Sequence, residues 1–307
     1  MYESLKEQNH NFHIYIFAFD DLTYEILQKL KLEYATVVSL DEFETSELRG
    51  VKNNRTVAEY CWTCTPSTID YVLKNYDVSH CTYIDSDLYF YSDPSVLIRE
   101  MEENGKSILI TEHRFSLLPK LYEQERAGRF CVQFITFMKE ENSLQVLEIW
   151  RKQCINWCYA RYEDGKFGDQ KYLDDWPITY PNIHILKHQG GGIAPWNLTQ
   201  YLFKMDRNSL TGKVRKSKLE FNVVFFHFQY VKFMKDGYCD IGWYQISSAV
   251  RKLIYEPYLK KINDIEKRIR SVNVNYKTGL TSFKTDNLKN LLKTLFKKSF
   301  GYNILKY

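Results

Sequence analysis

Residues 80–90 read HCTYIDSDLYF and decide both the fold of this chain and its candidate site. A short apolar strand ends in two carboxylates, Asp85 and Asp87, that one residue separates. Ligands of open α/β sheets bind outside the carboxyl ends of the strands, so both acids stand where chemistry is expected. Carboxylates this close repel each other unless a cation lies between them, and oxygen ligands suit Mg²⁺ or Mn²⁺. The alternative is a loop in which Asp87 and Asp93 only cap a turn or a helix.

Apolar runs of strand length alternate with helical stretches on both sides of this segment. The alternation predicts an α/β fold with a mostly parallel central sheet that helices flank. Strands are predicted at Phe12–Phe17, Ala35–Leu40, Cys81–Asp85, Ser107–Thr111, Phe130–Phe137, Ile183–Leu186 and Val223–Phe228. Helices are predicted at Asp21–Leu30, Thr56–Cys64, Pro66–Lys74, Pro94–Glu102 and Ser143–Ala160. The last helix is expected to place Trp157 and Cys158 on its apolar stripe. One domain over residues 1–255 is the simplest prediction.

The composition of the 307-residue chain excludes several classes of protein. Hydrophobic residues make up 44% and charged residues 26%, which argues against a disordered or fibrous protein. The net charge of +4 is too mild for a nucleic-acid partner to be expected. No stretch approaches the roughly 20 apolar residues that span a bilayer, and the polar start is unlike a secretory signal. The seven cysteines fit free thiols in a reducing compartment, so a soluble cytoplasmic enzyme is expected.

The C-terminal part, residues 256–307, differs in character and is predicted to be a helical, basic tail. Residues 277–307 hold seven lysines and one aspartate, a net charge of +6 that leaves −2 for the rest of the chain. An apolar stripe with helical spacing runs through Leu288, Leu291, Leu292, Leu295 and Phe296. Residues 285–307 are therefore a candidate for contact with an anionic membrane surface. The alternative is that the stripe packs on the protein's own core.

Several segments resemble one family of enzymes. Residues 83–94 resemble the D-x-D segment of nucleotide-diphospho-sugar transferases, glycosyltransferases of the Rossmann-like GT-A fold. Further segments look like a bacterial group of these enzymes, and they are residues 55–63, 112–115, 164–173, 194–197 and 226–228. They occur in the expected order over roughly residues 1–260. The resemblance implies the GT-A fold and the reaction class, but not the sugar.

The resemblance also implies roles for the residues of the D-x-D segment. Asp85 and Asp87 would bind a divalent metal and, with Ser86 between them, the ribose and diphosphate of the donor. His227, at the end of a late apolar strand, would be the third metal ligand. Neutral imidazole suits Mn²⁺, and a strand end can bring it near the two acids. The alternative is a core histidine that bonds to the backbone.

Asp169 and Gln170 resemble the Asp-Gln pair near the anomeric carbon in such enzymes, and we expect them to open a helix above the sheet. Asp169 would be a base in an inverting enzyme, as Glu112 could be, whereas in a retaining one the pair would stabilise an oxocarbenium-like centre. Alternatively, Asp169 only caps a helix.

Two further residues are candidates for donor binding. Arg55 would pair with a phosphate or with an acid near the nucleotide, or else form a surface ion pair. Gly191 could let the backbone approach the donor, or belong to a plain loop.

The chain departs from the family pattern in two places. Cys131-Val132-Gln133 stands where the enzymes that the chain resembles usually carry Asn-Val-Gly. A side chain at the glycine position could narrow the sugar pocket, so the resemblance leaves the choice of donor open there. In addition, Met1 stands at a stretch that follows the first strand in the GT-A fold. We therefore expect the true start codon to lie upstream, with an in-frame apolar strand ahead of Met1.

Three alternatives compete with the transferase. A haloacid-dehalogenase-like phosphatase also needs D-x-D after a strand, but it favours Thr or Val where Tyr89 stands. A zinc site at the pairs Cys61/Cys64 and Cys154/Cys158 would place its ligands inside helical patterns, so free thiols are expected. A non-catalytic protein that binds sugar nucleotides or a membrane stays open as a third alternative.

The sequence thus predicts a metal-dependent glycosyltransferase of the hexosyltransferase type. Its donor would be a nucleotide-diphosphate sugar, UDP-linked by expectation, and its acceptor a glycan or a lipid-linked molecule in cell-surface polysaccharide or lipopolysaccharide synthesis. We expect it at the cytoplasmic face of the inner membrane as a peripheral protein. The sequence leaves the donor sugar, the base, the linkage, the oligomeric state and the choice between retention and inversion undetermined.

Overall fold

The computed structural model describes residues 1–9, 11–206, 209–276, 279–283 and 285–307 of the chain. Three residues of the predicted basic tail, Lys277, Thr278 and Lys284, lie outside the described residues.

Seven of the strands confirm the sequence-based predictions to within two residues at either end. The strands are β1 (Ile14–Ala18), β2 (Ala35–Ser39), β3 (His80–Ile84), β4 (Leu88–Phe90), β5 (Ile108–Glu112), β6 (Phe130–Met138), β7 (Ile183–Ile185), β8 (Tyr201–Asp206), β9 (Ser209–Val214), β10 (Glu220–Asn222), β11 (Phe225–His227), β12 (Lys232–Phe233), β13 (Tyr238–Asp240) and β14 (Ile304–Lys306). Strands β8, β9 and β10 form an antiparallel sheet that the sequence analysis did not predict, because β8 and β9 carry few buried residues.

The central sheet is mixed, and a mostly parallel sheet is not seen among the described residues. It has the order β3-β6-β5-β7, and β6 runs antiparallel to both of its neighbours, whereas β5 and β7 are parallel. A separate parallel pair, β1-β2, and an antiparallel pair, β11-β4, lie beside it in the fold. Apolar runs indicate that a strand is buried but do not encode its direction, so the sequence pattern could not distinguish these arrangements.

The helices differ from the prediction at two informative places. They are α1 (Tyr2–Gln8), α2 (Asp21–Leu30), α3 (Leu40–Phe43), α4 (Ser46–Lys52), α5 (Val57–Asn75), α6 (Ser95–Glu103), α7 (Leu117–Ala127), α8 (Glu141–Asn156), α9 (Trp176–Thr179), α10 (Ser248–Val250), α11 (Glu256–Val272) and α12 (Leu288–Phe300). The two helices predicted on either side of Thr65 are the single helix α5, which contains Pro66. Helix α8 ends at Asn156 and Trp157 is extended, so Trp157 and Cys158 do not belong to its stripe.

Two apolar cores support the sheet. In the first, Trp150 of α8 stacks on Phe137 of β6 at 6.2 Å between ring centroids and meets Trp176 edge-on at 5.5 Å. In the second, Tyr258 of α11 stacks on Phe228 just after β11, with 3.6 Å between the ring centroids. The second core ties the polypeptide beyond residue 255 to the end of β11.

The chain crosses residue 255 without leaving its helix. A π-helical turn, Arg251–Tyr255, joins α10 to α11, and α11 contributes Tyr258 and Leu259 to the second core. The boundary between a domain at 1–255 and a tail at 256–307 therefore stays a prediction. Among the described residues, no helix has the length and apolarity that crossing a bilayer requires.

All seven cysteines are free, as the sequence analysis expects. Cys61 and Cys64 lie in α5 and Cys154 lies in α8. Among the described residues, no cluster of cysteines has the geometry of a metal site.

Candidate metal centre and active site

Three side chains from two strand ends meet at the carboxyl end of β3. Asp85 follows the last residue of β3 directly, and Asp87 comes just before β4. Strand β11 pairs antiparallel with β4 and places His227 opposite Leu88, next to the two acids. The His227 Nε2 atom lies 3.1 Å from Asp87 Oδ1 and 3.6 Å from Asp85 Oδ2. One ligand atom from each of the three residues lies within 4.8 Å of the others.

The three groups shift one another's proton affinity. Burial raises the pKa of Asp85 above its usual range, and the nearby Asp87 charge adds to this. Burial would also raise the pKa of Asp87, but the charge of His227 and its hydrogen bond outweigh this and lower it. Burial would lower the pKa of His227, yet the Asp87 charge raises it well above the usual range. Without a metal, His227 therefore holds a proton between two acids, and a divalent cation would take the place of that proton.

The ring of His227 is oriented from behind by Gln133. His227 Nδ1–H donates to the Gln133 side-chain carbonyl at 2.6 Å. Because the carbonyl oxygen can only accept, this bond keeps the proton on Nδ1 and turns Nε2 towards Asp85 and Asp87. Gln133 is fully buried in β6 and does not line the cavity. The structure thus shows the Gln133 side chain bonded to His227 and not lining this cavity, and its effect on a sugar pocket stays a prediction.

Asp85 is oriented in a similar way by a neighbouring tyrosine. Tyr83 donates its hydroxyl hydrogen to Asp85 Oδ1 at 2.9 Å. This bond leaves the second oxygen, Oδ2, facing His227.

The donor set fits a hard or borderline divalent cation. Adjacent ligands on an ion with bonds of about 2.1 Å lie about 3 Å apart, which is close to the distance between His227 Nε2 and Asp87 Oδ1. Two carboxylates and one neutral imidazole suit Mn²⁺ or Mg²⁺ and leave coordination positions for a phosphate-bearing ligand. A role for His227 as a core histidine bonded to the backbone does not describe this geometry, since both of its ring nitrogens face side chains.

Asp169 is a further acid of the site and lies near enough to Asp85 to feel its charge. It is buried and follows the loop that ends at Gly168. Burial raises its pKa to about 7, the charge of Asp85 adds to this, and a hydrogen bond with Thr65 opposes it. A carboxyl group with this pKa can hold or release a proton near neutral pH.

A short helical turn follows Asp169, as the sequence analysis expects, but Asp169 does not cap it. The 3₁₀ turn spans Lys171–Asp175, and its N-cap residue is Gln170, which makes no side-chain cap bond. Gln170 instead donates from Nε2 to the Ala127 carbonyl at 2.6 Å. Both Asp169 and Gln170 line the cavity.

A cavity of about 1370 Å³ joins these residues. Its lining includes Asp85, Ser86, Asp87, Asp169 and Gln170, together with His227. Its walls also include residues of β1, of β3 and of α5. In the described residues β1 pairs only with β2 and β3 pairs only with β6, so each strand turns an open edge to this cavity.

The structure does not bring Arg55 and Gly191 to this cavity. Arg55 lies over the ring of Tyr159 at 3.8 Å and donates to the Ile155 carbonyl at 3.3 Å. Gly191 is buried under Leu186 and Leu97, and a Cβ atom there would lie 2.5 Å from a Leu186 methyl group. The geometry thus explains Gly191 by close packing, and a role of either residue in donor binding stays a prediction.

Aromatic residues that the sequence analysis left without a role form one wall. His113 stacks on Phe115 at 4.5 Å, and Trp196 meets the His227 ring edge-on at 5.4 Å. Burial lowers the pKa of His113 to about 3, so it is neutral at physiological pH. Asn197 holds the segment in place by donating to the carbonyl groups of His113 and Gly192. The family resemblance includes residues 112–115, 194–197 and 226–228, but their spacing in the sequence could not show that these segments contact one another.

The chain is similar to two proteins of Bacillus subtilis (strain 168). It is 30% identical over 285 residues to the uncharacterized protein YfnD, which covers 91% of this chain and 88% of that protein. It is 32% identical over 211 residues to the uncharacterized protein YfnF, which covers 66% of this chain and 68% of that protein. No protein-family model matches the chain.

One solved structure with a detectable likeness is that of mouse xyloside xylosyltransferase 1 in its apo form. The likeness covers 71% of this chain and 98% of that one, with 10% identity and a TM-score of 0.39. A TM-score this low does not establish a shared fold. The sequence identity to the two bacterial proteins is much higher and extends over most of their length, and on this ground the chain belongs to the family of YfnD and YfnF.

Proposed function

We propose that this protein is a metal-dependent glycosyltransferase that uses a nucleotide-diphosphate sugar. The observation that carries the proposal is the meeting of Asp85, Asp87 and His227 within 4.8 Å at the wall of a large cavity. The resemblance of residues 83–94 to a D-x-D segment and the strand-end position of the acids support it. A bound divalent cation would stabilise the negative charge that grows on a departing nucleoside diphosphate.

In this proposal the residues of the site have separate roles in metal binding, donor binding and catalysis. Asp85 and Asp87 hold the cation together with His227, while Ser86 faces the cavity between them and contacts the donor. Asp169 and Gln170 would face the sugar. In an inverting reaction, Asp169 takes the proton of the acceptor hydroxyl, and in a retaining one the pair stabilises the cationic sugar.

The donor, acceptor and place of the reaction follow from the resemblance alone. We propose a UDP-linked hexose as donor and a glycan or lipid-linked acceptor of cell-surface polysaccharide or lipopolysaccharide synthesis. The reaction would take place at the cytoplasmic face of the inner membrane. A panel of nucleotide sugars with Mn²⁺, read out by thermal stabilisation, would identify the donor, because a ligand that binds the folded state raises the melting temperature.

Asp87→Asn tests the metal role. This change keeps the size of the side chain but removes a charged ligand, so we expect Mn²⁺-dependent nucleotide binding to weaken and turnover to vanish. Isothermal titration with Mn²⁺ and UDP, alongside hydrolysis of UDP-sugars, measures both. Asp93→Asn is the matched control, since Asp93 accepts hydrogen bonds from Ser95 at the start of α6 and is not among the three residues of the candidate metal site. Unchanged turnover in Asp87→Asn would remove the metal role.

The same experiment separates an enzyme from a protein that only binds. If the wild-type protein binds several nucleotide sugars with Mn²⁺ but turns over none of them, a non-catalytic sugar-nucleotide-binding module on the same site is the better description.

A further inference from the structure

The C-terminal helix α12 exposes its apolar face and buries part of its polar face, the reverse of an ordinary surface helix. Its apolar residues face away from the body of the protein, and Leu288, Leu292 and Phe300 expose 71%, 57% and 75% of their surface. The residues that it buries are Thr294 and Lys297. A helix that stabilises a fold usually buries its apolar stripe and exposes its lysines. The expectation that this stripe packs on the protein's own core is therefore not met.

Side-chain bonds hold α12 in this orientation. The Lys297 ammonium group donates to the Asp240 carboxylate and to the Gly242 carbonyl, the latter at 2.7 Å. It also lies 4.4 Å from the centre of the Trp243 ring. Beyond the helix, β14 pairs antiparallel with β13, and Asn303 donates to the Tyr244 carbonyl at 2.8 Å. The outward direction of the stripe is thus built into the fold.

Lysines border the exposed stripe on both sides. At 100° per residue, Lys289 and Lys293 lie beyond one edge of the stripe, and Lys298 lies beyond the other. Helix α12 contains no acidic residue. Lysine stems beside an apolar stripe let the stripe enter the acyl boundary of a bilayer while the ammonium groups stay at the headgroups.

Aromatic residues connect this surface to the cavity. Phe296 of α12 stacks on the exposed Trp243 at 6.3 Å. The next residue, Tyr244, packs on Trp196 and lines the cavity that contains Asp87.

Helix α7 exposes a further set of large apolar side chains, which are Leu117, Leu118, Leu121 and Tyr122. Glu123 and Arg126 of α7 line the same cavity.

We propose that the outer face of α12, formed by Leu288, Leu291, Leu292, Leu295, Phe296 and Phe300 with Lys289, Lys293 and Lys298, docks on an anionic lipid bilayer. A bilayer is the occupant that the charges favour, since the face is apolar at its centre and α12 itself carries lysines and no acid. Lys289 and Lys293 border one edge, and on the other edge Lys298 pairs with Asp236 at 3.2 Å. Bound in this way, the protein would hold the Tyr244 side of its cavity near the membrane, where a lipid-linked acceptor would lie.

Flotation with lipid vesicles tests the proposal without any need for enzymatic activity. The full chain is mixed with vesicles of phosphatidylcholine, with or without phosphatidylserine. We expect the wild-type protein to float with the anionic vesicles and to remain unbound with the neutral ones. Leu292→Ser/Phe300→Ser should abolish flotation, and Lys289→Gln/Lys293→Gln should weaken binding to anionic vesicles about 30-fold.

Matched controls come from other exposed positions of the chain. Ile178→Ser removes an even more exposed apolar side chain from α9, and Lys204→Gln removes a lysine from β8, so both should float as the wild type does. All the changes lie on the surface, and thermal unfolding should be unchanged in each variant.

Two results would overturn the proposal. The first is the absence of flotation of the wild-type protein with anionic vesicles, or flotation of the α12 variants to the same extent as the wild type. The other is an α12 variant that changes the oligomeric state in gel filtration while vesicle binding is absent, which would assign the face to a second copy of the chain. Both results are independent of the proposed transferase, because none of the altered residues lies in the Asp85–His227 site.

Discussion

Single residues decide the geometry of the candidate metal centre, and Gln133 is the clearest case. The sequence analysis treats it as a departure from a family pattern, and in the structure its side-chain carbonyl accepts the Nδ1 proton of His227 at 2.6 Å. Bonds of this kind fix the tautomer of a metal-binding histidine and commonly change metal affinity 10–100-fold. The family pattern marked this position as a departure, but only the packing of β6 beside β11 shows what the side chain does.

Gln133→Leu should weaken the binding of Mn²⁺ by about 10–100-fold, because His227 loses the acceptor that keeps Nε2 available as a ligand. Gln133→Glu is the matched variant, since its carboxylate can still accept the Nδ1 proton and should retain most of the affinity. Titration calorimetry with Mn²⁺ measures both. Equal losses in the two variants would show that Gln133 only fills space.

We predict that the burial of the Asp169 carboxyl group in the cavity wall lowers the stability of the fold at neutral pH. Burial raises its pKa in the folded state to about 7, far above the value of about 3.9 in an unfolded chain. The contribution of the protonated Asp169 carboxyl group to the free energy of unfolding is fully present below pH 4. It is lost as the pH rises from about 4 to about 7. Asp169→Asn should therefore match the wild type at pH 4 and be more stable above pH 7, by about 2–4 kcal/mol.

Urea unfolding of both proteins at a series of pH values, without metal, checks this prediction. The difference in the free energy of unfolding should grow between pH 4 and pH 7 and then level off. A difference that does not change with pH would mean that Asp169 is ionised in the fold at all these pH values.

At the scale of elements, α12 shows how a buried charge can orient a helix. Lys297 is 2% exposed and its ammonium group meets Asp240 and the Gly242 carbonyl. Burial lowers the pKa of Lys297, while the hydrogen bond to Asp240 opposes that shift. A lysine in such a pattern is usually solvated, so the sequence left open whether the apolar stripe of α12 packs on the core or faces outward.

Lys297→Met should destabilise the fold by about 3–5 kcal/mol, because it leaves the Asp240 carboxylate buried without a cation. Adding Asp240→Asn should recover most of this loss, since the amide can still accept the hydrogen bond that Gly242 N–H donates. Urea unfolding of the two single variants and the double variant measures the coupling. If the double variant is no better than Lys297→Met alone, the ion pair does not hold the helix.

Pro66 illustrates a second element-scale effect. A proline usually ends a helix, and the sequence analysis split the segment there. Helix α5 nevertheless runs through it, because Thr56 and Glu59 close its start with a capping box. Its residues Ile69 and Leu73 pack in the core around Trp150, and Tyr60 and Cys64 pack in a separate apolar cluster with Val38 of β2. Tertiary packing outweighs the lost backbone bond.

At the scale of the whole molecule, the main feature is the space between β1 and β3. Both strands turn an open edge to the cavity, and the described residues supply no strand between them. Five residues of a strand occupy roughly 800 Å³ at ordinary strand and sheet spacings, which the cavity of about 1370 Å³ can hold. An added strand would join β2-β1 to β3-β6-β5-β7 in one sheet.

We therefore predict that an apolar strand added to the protein can pair between β1 and β3. A five-residue apolar strand joined to the N-terminus by a flexible linker should slow hydrogen exchange at the backbone amides of Tyr15 and Thr82 and raise the melting temperature. An extension of the same length made of Gly and Ser is the control and should leave both unchanged. Unaltered exchange with the apolar extension would contradict the prediction.

The sequence alone was sufficient to place seven of the fourteen described strands, the acids after β3 and the free cysteines. These features are local, because they depend on apolar runs and on residue types that lie next to one another in the chain. Tertiary structure decided the antiparallel direction of β6, the bond between Gln133 and His227, the outward face of α12 and the open edges of β1 and β3. Each of these depends on which distant residues become neighbours, since a hydrogen bond or an ion pair requires a partner that the local pattern does not name.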